Sequence, residues 1–512
     1  MLRTPALSEE KRLAAQRITR NVLARIETLL ELGLGYLSLE RGTHTLSPGE
    51  LQRVRLATQI QSNLFGVVYV LDEPSAGLHP ADGEALLKAL KRLLAAGNSL
   101  FVVEHDLAVM RQADWIVDVG PGAGEQGGHI VYSGPIEGLR GVATSHTGLY
   151  LFAKPLASTH VPRQPRGWLK LTDVSCNNLR QVDAEFPLGA ITAITGVSGS
   201  GKSSLVTQAL VTLMGNHLGH AIADTNEVGG DEPLTTALHA TSLRGRLGGD
   251  LSTLRRMVQV DQKPIGRTPR SNLATYTGLF DAVRKLFAAT AAARKHRWGA
   301  GHFSFNVVGG RCDTCDGEGF VSIELLFMPS VYAPCSTCHG TRYKPQTLEV
   351  LYNDKNIADV LGLTVDAACS FFADNPAVAR PLVLLRDIGL GYLRLGQPAT
   401  ELSGGEAQRI KLATELQRPS RGDTLYVLDE PTTGLHPADV DRLMAQLQTL
   451  VDAGNTVVLV EHDMRVVRDC DWVIDIGPGA GDEGGTVVAS GKPEQVAQDH
   501  TSVTGRYLNK VA

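Results

Sequence analysis

The order of apolar and polar positions predicts buried strands separated by helices along most of the chain. From Ser8 to Leu32, apolar residues recur at spacings of three and four, which predicts an amphipathic helix with Ser8 as its N-cap. Apolar runs rich in β-branched residues at 191–195, 424–428 and 457–460 predict buried strands. No run of about 18 apolar residues occurs, so we expect no segment to span a membrane.

The same pattern occurs twice in the chain. The block from Leu32 to Gln59 aligns with the block from Ile388 to Glu415 at an offset of 356 residues. YVLDEPSAGLHPAD, which begins at Tyr69, then matches YVLDEPTTGLHPAD, which begins at Tyr426, at an offset of 357 residues. Two matching blocks predict two homologous domains. The segment 168–205 has no counterpart in the first copy, so we expect the first domain to be partial.

Length, composition and charge narrow the class of protein. The 512 residues, 43% of them hydrophobic, suffice for about three or four domains and exclude a disordered chain. The N-terminus has no apolar signal core, so we expect a soluble, cytoplasmic protein. Seven cysteines are too few for a disulfide scaffold. The net charge is −5, yet residues 241–300 contain 12 Lys and Arg against 3 Asp and Glu, a local net charge of +9.

A glycine-rich loop follows the apolar run at 191–195. Its sequence is GVSGSGKS, made of Gly196, Val197, Ser198, Gly199, Ser200, Gly201, Lys202 and Ser203. The glycines allow backbone N–H groups to turn towards a phosphate, Lys202 would reach the β and γ oxygens, and Ser203 would hold Mg²⁺. A plain glycine turn between a strand and a helix is the alternative. The flanking strand and helix favour a phosphate site.

Two further strands end in residues suited to phosphate chemistry. TLYVLDEP ends a buried strand with Asp429, placed to bind Mg²⁺ through water, and Glu430, placed to orient and deprotonate an attacking water. VVLVEHD delivers His462, which suits a sensor of the γ-phosphate. Carboxylates at a strand end and a structural histidine are the alternatives.

LSPGELQRVRL and LSGGEAQRIKL begin with Ser47 and Ser403, respectively, and each places a glutamate three residues later, Glu50 and Glu406. This spacing predicts a capping box at a helix N-terminus. A capped helix N-terminus is itself an anion site, so a structural and a phosphate-binding role are compatible.

Together these motifs resemble those of ATP-binding-cassette ATPases. In that family, ATP is sandwiched between the phosphate loop of one domain and the serine–glycine signature of the other. The resemblance implies one complete site, in which Gly196 to Ser203, Asp429, Glu430 and His462 face the signature residues Ser47, Gly49 and Glu50. Proline at position 48 removes one N–H from that signature. A second site has Asp72, Glu73, His105 and the signature at 403–406, but no phosphate loop.

Lys202 and Ser403 lie 201 residues apart, and the segment between them contains the most specific feature, a CxxC-x19-CxxC array. Two CxxC knuckles present four thiolates for a tetrahedral Zn²⁺ shell: Cys312, Cys315, Cys335 and Cys338. The residues between the knuckles predict a β-hairpin. Zinc is favoured over an iron–sulfur cluster because both knuckles are flanked by glycine. A redox pair is the alternative. The other cysteines, Cys176, Cys369 and Cys470, are isolated and expected in the core.

The basic stretch lies upstream of the cysteines. Its lysines and arginines are interleaved with Tyr276, Phe280 and Trp298, which favours contact with a nucleic-acid backbone over a merely solvated face. Gln262, at the end of the predicted strand VQVDQ, is positioned to complete the Mg²⁺ and γ-phosphate shell.

DQKPIGRTPRS (261–271), FSFNVVGGRC (303–312), the cysteine array and ELSGGEAQRIKLATEL (401–416) together closely resemble the UvrA family, the damage-recognition ATPases of the bacterial UvrABC excinuclease. The resemblance covers nearly all of residues 20–512. It implies an α/β fold with a partial cassette domain at 1–155, a second cassette domain at 165–215 and 376–512, and an inserted DNA-binding module at 216–375 whose zinc finger spans 312–338.

The resemblance also implies ATP, Mg²⁺ and Zn²⁺ as cofactors, damaged duplex DNA as the partner, a homodimer, and ATP-dependent damage recognition in nucleotide excision repair. A complete UvrA carries a first phosphate loop, a UvrB-binding domain, an insertion domain and another zinc site ahead of this region, so the chain resembles a C-terminal portion and UvrB is an uncertain partner. Alternatives are a UvrA-like paralogue for antibiotic resistance, a transporter or translation ATPase without DNA function, and a chaperone zinc domain like that of DnaJ.

Overall fold

A computed structural model describes residues 8–46, 48–61, 64–124, 127–153, 160–219, 243–266, 268–325, 328–418 and 422–511. Ser47 and residues 154–159 therefore lie outside the described residues. Among the described residues, no helix is long and apolar enough to cross a bilayer.

The first half of the chain contains helices and two small sheets. The helices are α1 (Glu9–Glu31), α2 (Pro48–Gln61), α3 (Pro80–Ala95), α4 (Leu107–Met110) and α5 (His146–Phe152). The strands are β1 (Val68–Asp72), β2 (Ser99–Val103), β3 (Ile116–Gly120) and β4 (His129–Gly134). β1 and β2 pair in parallel, whereas β3 and β4 pair antiparallel. The helix predicted from Ser8 is thus confirmed as α1, although the Ser8 side chain makes no capping bond.

The second half begins with strands β5 (Trp168–Cys176), β6 (Leu179–Pro187), β7 (Ile191–Thr195), β8 (Arg244–Gly249) and β9 (Arg256–Val260). A π-helical segment, Ser204–Leu210, follows β7 and continues into α6 (Val211–His217). The middle of the chain forms one hairpin with short helices before and after it. The helices before the hairpin are α7 (Leu273–Tyr276), α8 (Leu279–Ala288) and α9 (Ala291–Lys295), and the hairpin consists of β10 (Phe320–Leu325) and β11 (Met328–Pro334). The helices after it are α10 (Pro345–Leu348), α11 (Ile357–Gly362), α12 (Val365–Phe371) and α13 (Pro376–Leu385).

The last part returns to the cassette pattern. Its elements are α14 (Gly404–Leu416), β12 (Thr424–Asp429), α15 (Pro437–Asp452), β13 (Thr456–Val460), α16 (Met464–Arg468), β14 (Trp472–Gly477), β15 (Thr486–Gly491), α17 (Pro493–Gln498) and α18 (Val503–Val511). The three apolar runs predicted as buried strands are therefore β7, β12 and β13, and every residue of β7 and β13 is buried.

One six-stranded sheet organises the second half, with the strand order β15-β14-β7-β13-β12-β9. β7 lies between β14 and β13 and is parallel to both, so the loop after β7 emerges at the middle of the sheet. The sheet's faces are covered by two apolar cores, one shared with the antiparallel sheet β6-β5-β8 and one shared with α15, α16 and α18. The predicted α/β fold is confirmed.

A third core joins the middle helices to α13 and α14. It contains Phe280, Phe303, Phe305 and Tyr343, with α14 residues Ala407 and Ile410 packed into it. In contrast, β8 and β9 pair with cassette strands, β5 and β12 respectively. The described residues 244–260 thus contribute to cassette sheets, and the predicted start of the inserted module at residue 216 remains a prediction.

The two halves pack directly on each other. The α18 helix contacts the start of α3, where Thr504 Oγ1 lies 3.2 Å from His79 Nε2. In the equivalent contact of the other repeat, Thr147 Oγ1 of α5 lies 3.3 Å from His436 Nε2 at the start of α15. Each half therefore makes with the other the contact that the other makes with it, as in an approximate two-fold arrangement.

Candidate functional site

The glycine-rich loop connects β7 to the buried helix at the centre of the second-half sheet. Gly196, Gly199 and Gly201 have φ of 135°, 76° and 113°, values in the region that favours glycine. A Cβ built on Gly196 would lie 2.0 Å from the carbonyl oxygen of Ile476, so a side chain is excluded there. This conformation is suited to turning consecutive backbone N–H groups towards an anion.

Lys202 lies inside this loop. Its Nζ donates hydrogen bonds of 2.9 and 2.8 Å to the carbonyl oxygens of Gly196 and Val197, and the residue is buried. Burial lowers the pKa of Lys202, and the nearby carboxylates of Glu430 and Asp82 oppose that change. The Ser200 hydroxyl is buried without a hydrogen-bond partner among the described residues. An unpaired buried donor and an ammonium held at the loop fit a phosphate group.

Asp429, Glu430 and His462 meet at the carboxyl ends of β12 and β13. His462 Nε2 lies 3.3 Å from Glu430 Oε1, and Glu430 adopts a positive φ of 44°. Burial raises the pKa of Asp429 to about 6, with the charge of Glu430 acting in the same direction. Burial also raises the pKa of Glu430, but the hydrogen bond from His462 and the charge of Lys202 outweigh it, so the net pKa is lowered. Glu430 is therefore suited to remain an ionised acceptor.

His462 is held in place by its own chain neighbour. Glu461 Oε2 accepts the backbone N–H of His462 at 2.9 Å, and Glu461 Oε1 accepts the N–H and the hydroxyl of Thr432 at 3.1 and 2.6 Å. Burial raises the pKa of Glu461 to about 7. Gln262 lies two residues beyond β9, and its Nε2 donates to the carbonyl oxygen of Glu430 at 3.3 Å. The structure thus brings Gln262 to the backbone of the carboxylate pair.

The first half of the chain reaches this cluster through three residues that are not among the predicted site residues. Asp82 Oδ2 accepts the Ser198 N–H of the phosphate loop at 2.9 Å. A Cβ built on Gly77 would lie 2.6 Å from Glu430 Oε2. Tyr36 lies against Gly199, where a Cβ would be 2.6 Å from two ring carbons of the tyrosine. All three belong to the repeated blocks, and that repetition is the signal that could have found them.

The signature residues lie at the start of α2. Glu50 is buried, and its Oε1 accepts the Tyr36 hydroxyl at 2.7 Å. A Cβ on Gly49 would have ordinary contacts with Ala76 and Leu78. Ser47 lies outside the described residues, so its capping bond is not tested. In the second copy the capping box is present, because the side chains of Ser403 and Glu406 each accept the other residue's backbone N–H.

A second cluster, around Glu73 and His105, repeats the arrangement around Glu430 and His462 with the two halves of the chain exchanged. His105 Nε2 lies 3.7 Å from Glu73 Oε1, and a Cβ on Gly434 would lie 2.8 Å from Glu73 Oε2. Glu73 also has a positive φ, 43°. Within the described residues of the first half, no counterpart of the loop 196–203 lies beside this cluster. The described contacts thus place the loop 196–203 at one of the two equivalent clusters, the one around Glu430.

The four cysteines of the array form one buried cluster. The sulfur atoms of Cys312, Cys315, Cys335 and Cys338 all lie within 4.8 Å of one another. Backbone N–H groups of residues 337 and 338 lower the pKa of Cys335 to about 7. The predicted hairpin between the knuckles is confirmed as β10 and β11. Four buried sulfurs at this spacing match a tetrahedral metal site, in which Zn–S bonds of about 2.3 Å place the sulfurs roughly 4 Å apart.

The exposed basic side chains of the stretch lie on several different elements. Arg244 and Arg246 lie on β8, whereas a second exposed group, the basic cluster, lies on α8, α9 and the turn after it. This cluster comprises Lys285, Arg294, Lys295 and Arg297. Trp298 stacks between His296 and His302, at centroid distances of 4.5 and 4.0 Å. Phe280 is buried in the core against Phe305, so its place in the stretch reflects packing.

The exposed basic cluster lies close to the cysteine hairpin. His302, which stacks on Trp298, contacts the backbone at Gly310, because a Cβ there would lie 2.2 Å from the His302 carbonyl oxygen. Gly310 precedes Cys312 by two residues. The basic cluster and the cysteine hairpin are therefore neighbouring parts of the same module.

The phosphate loop, the carboxylate strand and the opposing signature helix define the fold of an ATP-binding-cassette protein. No protein-family model matches the chain. It is 52% identical over 500 residues to the UvrABC system protein A of Streptomyces avermitilis, which covers 97% of this chain and 48% of the relative. For the Thermus thermophilus protein of the same name, the identity is 51% over 501 residues, covering 97% of this chain and 50% of that protein.

The chain is also similar to a solved structure of a UvrA protein. The crystal structure of UvrA2 from Deinococcus radiodurans is 64% identical, with a TM-score of 0.90, and the match covers 98% of this chain and 59% of that chain. The chain belongs to the UvrA family. It spans about half the length of the curated relatives it matches.

Proposed function

We propose that this chain binds and hydrolyses ATP at the composite site and that this reaction is coupled to binding of damaged duplex DNA in nucleotide excision repair. One observation carries the proposal. Tyr36, Gly77 and Asp82 of the first half pack on Gly199, Glu430 and Ser198 of the second half, so both halves surround one phosphate loop. The UvrABC system named for the relatives supports the DNA part.

The residues present fit ATP and Mg²⁺. The N–H groups of Gly196 to Ser203 and the ammonium of Lys202 would bind the β and γ phosphates, while Ser203 and Asp429 would hold Mg²⁺. When bound, Mg²⁺ neutralises charge that develops on the phosphates. Gln262 would complete that shell, and Glu50 with Gly49 would close the site from the first half, whereas the role of Ser47, which lies outside the described residues, stays a prediction.

The proton transfer is assigned to Glu430. Its lowered pKa keeps it ionised, and it orients the attacking water and accepts its proton. His462 donates a hydrogen bond to Glu430, and Glu461 fixes the His462 backbone. Because Gly77 lies against Glu430 Oε2, closure of the first half positions this carboxylate and limits access of bulk water.

The cysteine module is assigned to DNA. Its four sulfurs fit Zn²⁺, which would hold the two knuckles together as a structural site. The exposed Lys285, Arg294, Lys295 and Arg297 beside the module supply charge for phosphate contacts. The domain division proposed is 1–155, 165–215 with 376–512, and 216–375. A homodimer is the assembly proposed from the family, and binding of UvrB is not assigned to this region.

An ATPase assay with and without a lesion-bearing duplex tests this function. We expect hydrolysis by the wild type, a change in rate with damaged DNA larger than with the undamaged duplex, and no hydrolysis by Lys202→Ala. Equal rates in the absence and presence of both duplexes would overturn the DNA role and leave a cassette ATPase without a repair function. Hydrolysis that survives in Lys202→Ala would overturn the assignment of the site.

A further inference from the structure

We infer that Tyr36 is a positioning residue that couples the phosphate loop of the second half to the signature helix of the first half. This inference rests on the proposed ATPase function. Tyr36 lies in the turn after α1, four residues beyond the buried Leu32. From there it contacts three separate parts of the composite site.

The phenol hydroxyl makes the first contact. It donates a 2.7 Å hydrogen bond to Glu50 Oε1, in the first turn of α2. The other carboxylate oxygen of Glu50 lies 3.5 Å from Arg41 Nη2. Burial and the neighbouring Glu50 raise the pKa of Tyr36, so the hydroxyl keeps its proton and remains the donor. The bond joins the Tyr36 turn to the helix that carries the signature.

The ring and Cβ of Tyr36 make the other two contacts, both with backbone of the second half. A Cβ on Gly199 would lie 2.6 Å from ring carbons Cε2 and Cζ of Tyr36, and a Cβ on Gly481 would lie 2.8 Å from the tyrosine Cβ. Both glycines have positive φ, 76° and 58°. The loop backbones can approach the tyrosine this closely because neither position carries a side chain.

The two loops beneath Tyr36 are joined to each other. Gly481 N donates to the Gly199 carbonyl oxygen at 2.9 Å. Asn178 Nδ2 lies within hydrogen-bond distance of three carbonyl oxygens, those of Gly199, Ser200 and Gly481. A shift of the phosphate loop therefore moves a connected surface against Tyr36. Through the hydroxyl, that shift is transmitted to Glu50.

The repeat provides a matched control. Tyr392, at the offset of 356 residues, donates a 2.5 Å hydrogen bond to Glu406 Oε1 in the same way. A Cβ built on Gly124, the counterpart of Gly481, would lie 2.8 Å from the Cβ of Tyr392. Among the described residues, no counterpart of Gly199 packs on the Tyr392 ring. Tyr392 thus has the bond to its glutamate without the contact to a phosphate loop.

The experiment compares Tyr36→Phe with Tyr392→Phe in the full chain, using steady-state ATPase kinetics, binding of a non-hydrolysable ATP analogue and thermal unfolding. Phenylalanine keeps the ring on Gly199 but removes the charge-assisted bond to Glu50. We expect Tyr36→Phe to lower kcat about tenfold with analogue Kd changed less than about twofold. Tyr392→Phe should leave kcat and Kd within about twofold of wild type, and both variants should keep the wild-type unfolding midpoint.

A double-mutant cycle with Glu50→Gln completes the test. If Tyr36 acts through Glu50, the double variant Tyr36→Phe/Glu50→Gln should be no slower than the slower single variant. Additive losses, a wild-type kcat in Tyr36→Phe, or equal losses in Tyr36→Phe and Tyr392→Phe would each overturn the inference. Lys202→Ala separates the two proposals. If that variant is inactive and Tyr36→Phe is fully active, the coupling role fails while the proposed ATP site stands.

Discussion

The carboxylate strands of the two halves have the same sequence from tyrosine to glutamate but different surroundings. In β12, Val427 is 2% exposed because β9 and β13 flank the strand and apolar cores cover its faces. In β1, the equivalent Val70 is 73% exposed. The exposed apolar side chains of this half also include Val68, Phe101, Val103, Val117, Val119 and Ile130.

The difference originates in one strand–loop–helix unit. In the second half, β7 pairs with both β13 and β14 and delivers the phosphate loop between them. In the first half, the described strands form two separate pairs, β1 with β2 and β3 with β4. The turns after β1 and β12 nevertheless keep the same geometry, with a positive φ at Glu73 and Glu430. Motif sequence therefore determines the turn, whereas the proposed phosphate contacts depend on β7 and its loop.

If the phosphate loop is what distinguishes the two halves, replacement of Lys202 by alanine should have the largest effect on ATP turnover. The variant removes the only lysine of the phosphate loop, and we expect ATP turnover to fall by at least about 100-fold. Phosphate release in a coupled assay measures it. Thermal unfolding serves as the control, because retained folding would assign the loss to the site.

The two glutamates at the strand ends provide the next comparison. Glu430→Gln should lower kcat about 100-fold, because the amide cannot accept the proton of the attacking water. Glu73→Gln should leave kcat within about twofold, because no phosphate loop lies beside Glu73 among the described residues. Equal losses in the two variants, measured by steady-state hydrolysis, would show that both clusters turn over ATP.

A cysteine replacement tests the independence of the module from the cassette. Cys335→Ser should release bound zinc, measured by a chromophoric chelator, because a tetrahedral site needs its fourth thiolate. Binding to damaged relative to undamaged duplex should fall by about tenfold, while ATP hydrolysis without DNA should stay within about twofold. Unchanged discrimination by a metal-free variant would separate the cysteines from lesion recognition.

The smallest effect is a pH dependence of stability due to Glu461. Burial raises its pKa to about 7 from 4.5, so the folded state binds an extra proton between those values. Its contribution to stability is therefore largest below pH 4.5 and declines as the pH rises to about 7. We expect Glu461→Gln to gain stability relative to wild type between pH 5 and pH 8, by about 1–3 kcal/mol. Urea unfolding at both pH values measures this, and a pH-independent difference would contradict it.

Much of the fold and the site could be predicted from the sequence, because the motifs carry local chemistry. The glycines at 196, 199 and 201 indicate a positive-φ loop, and the cysteine spacing indicates one cluster; both expectations agree with the geometry. Tyr36 and Asp82 lie in the repeated blocks, but their roles could not be predicted, since their contacts with Gly199 and Ser198 cross to the other half of the chain. The interleaving of Phe280 with basic residues favours a nucleic-acid contact, yet Phe280 is buried, because it lies on the apolar face of α8 that packs against Phe305.

The central claim is that the two halves of this chain form one composite ATP site. Equilibrium binding of ATP to Glu430→Gln, in which hydrolysis is suppressed, tests it most directly through the stoichiometry per chain. The account predicts one ATP per chain in Glu430→Gln, the same value in Glu430→Gln/Glu73→Gln, and no binding in Glu430→Gln/Lys202→Ala. Two ATP molecules per chain, or one that persists after Lys202→Ala, would contradict it.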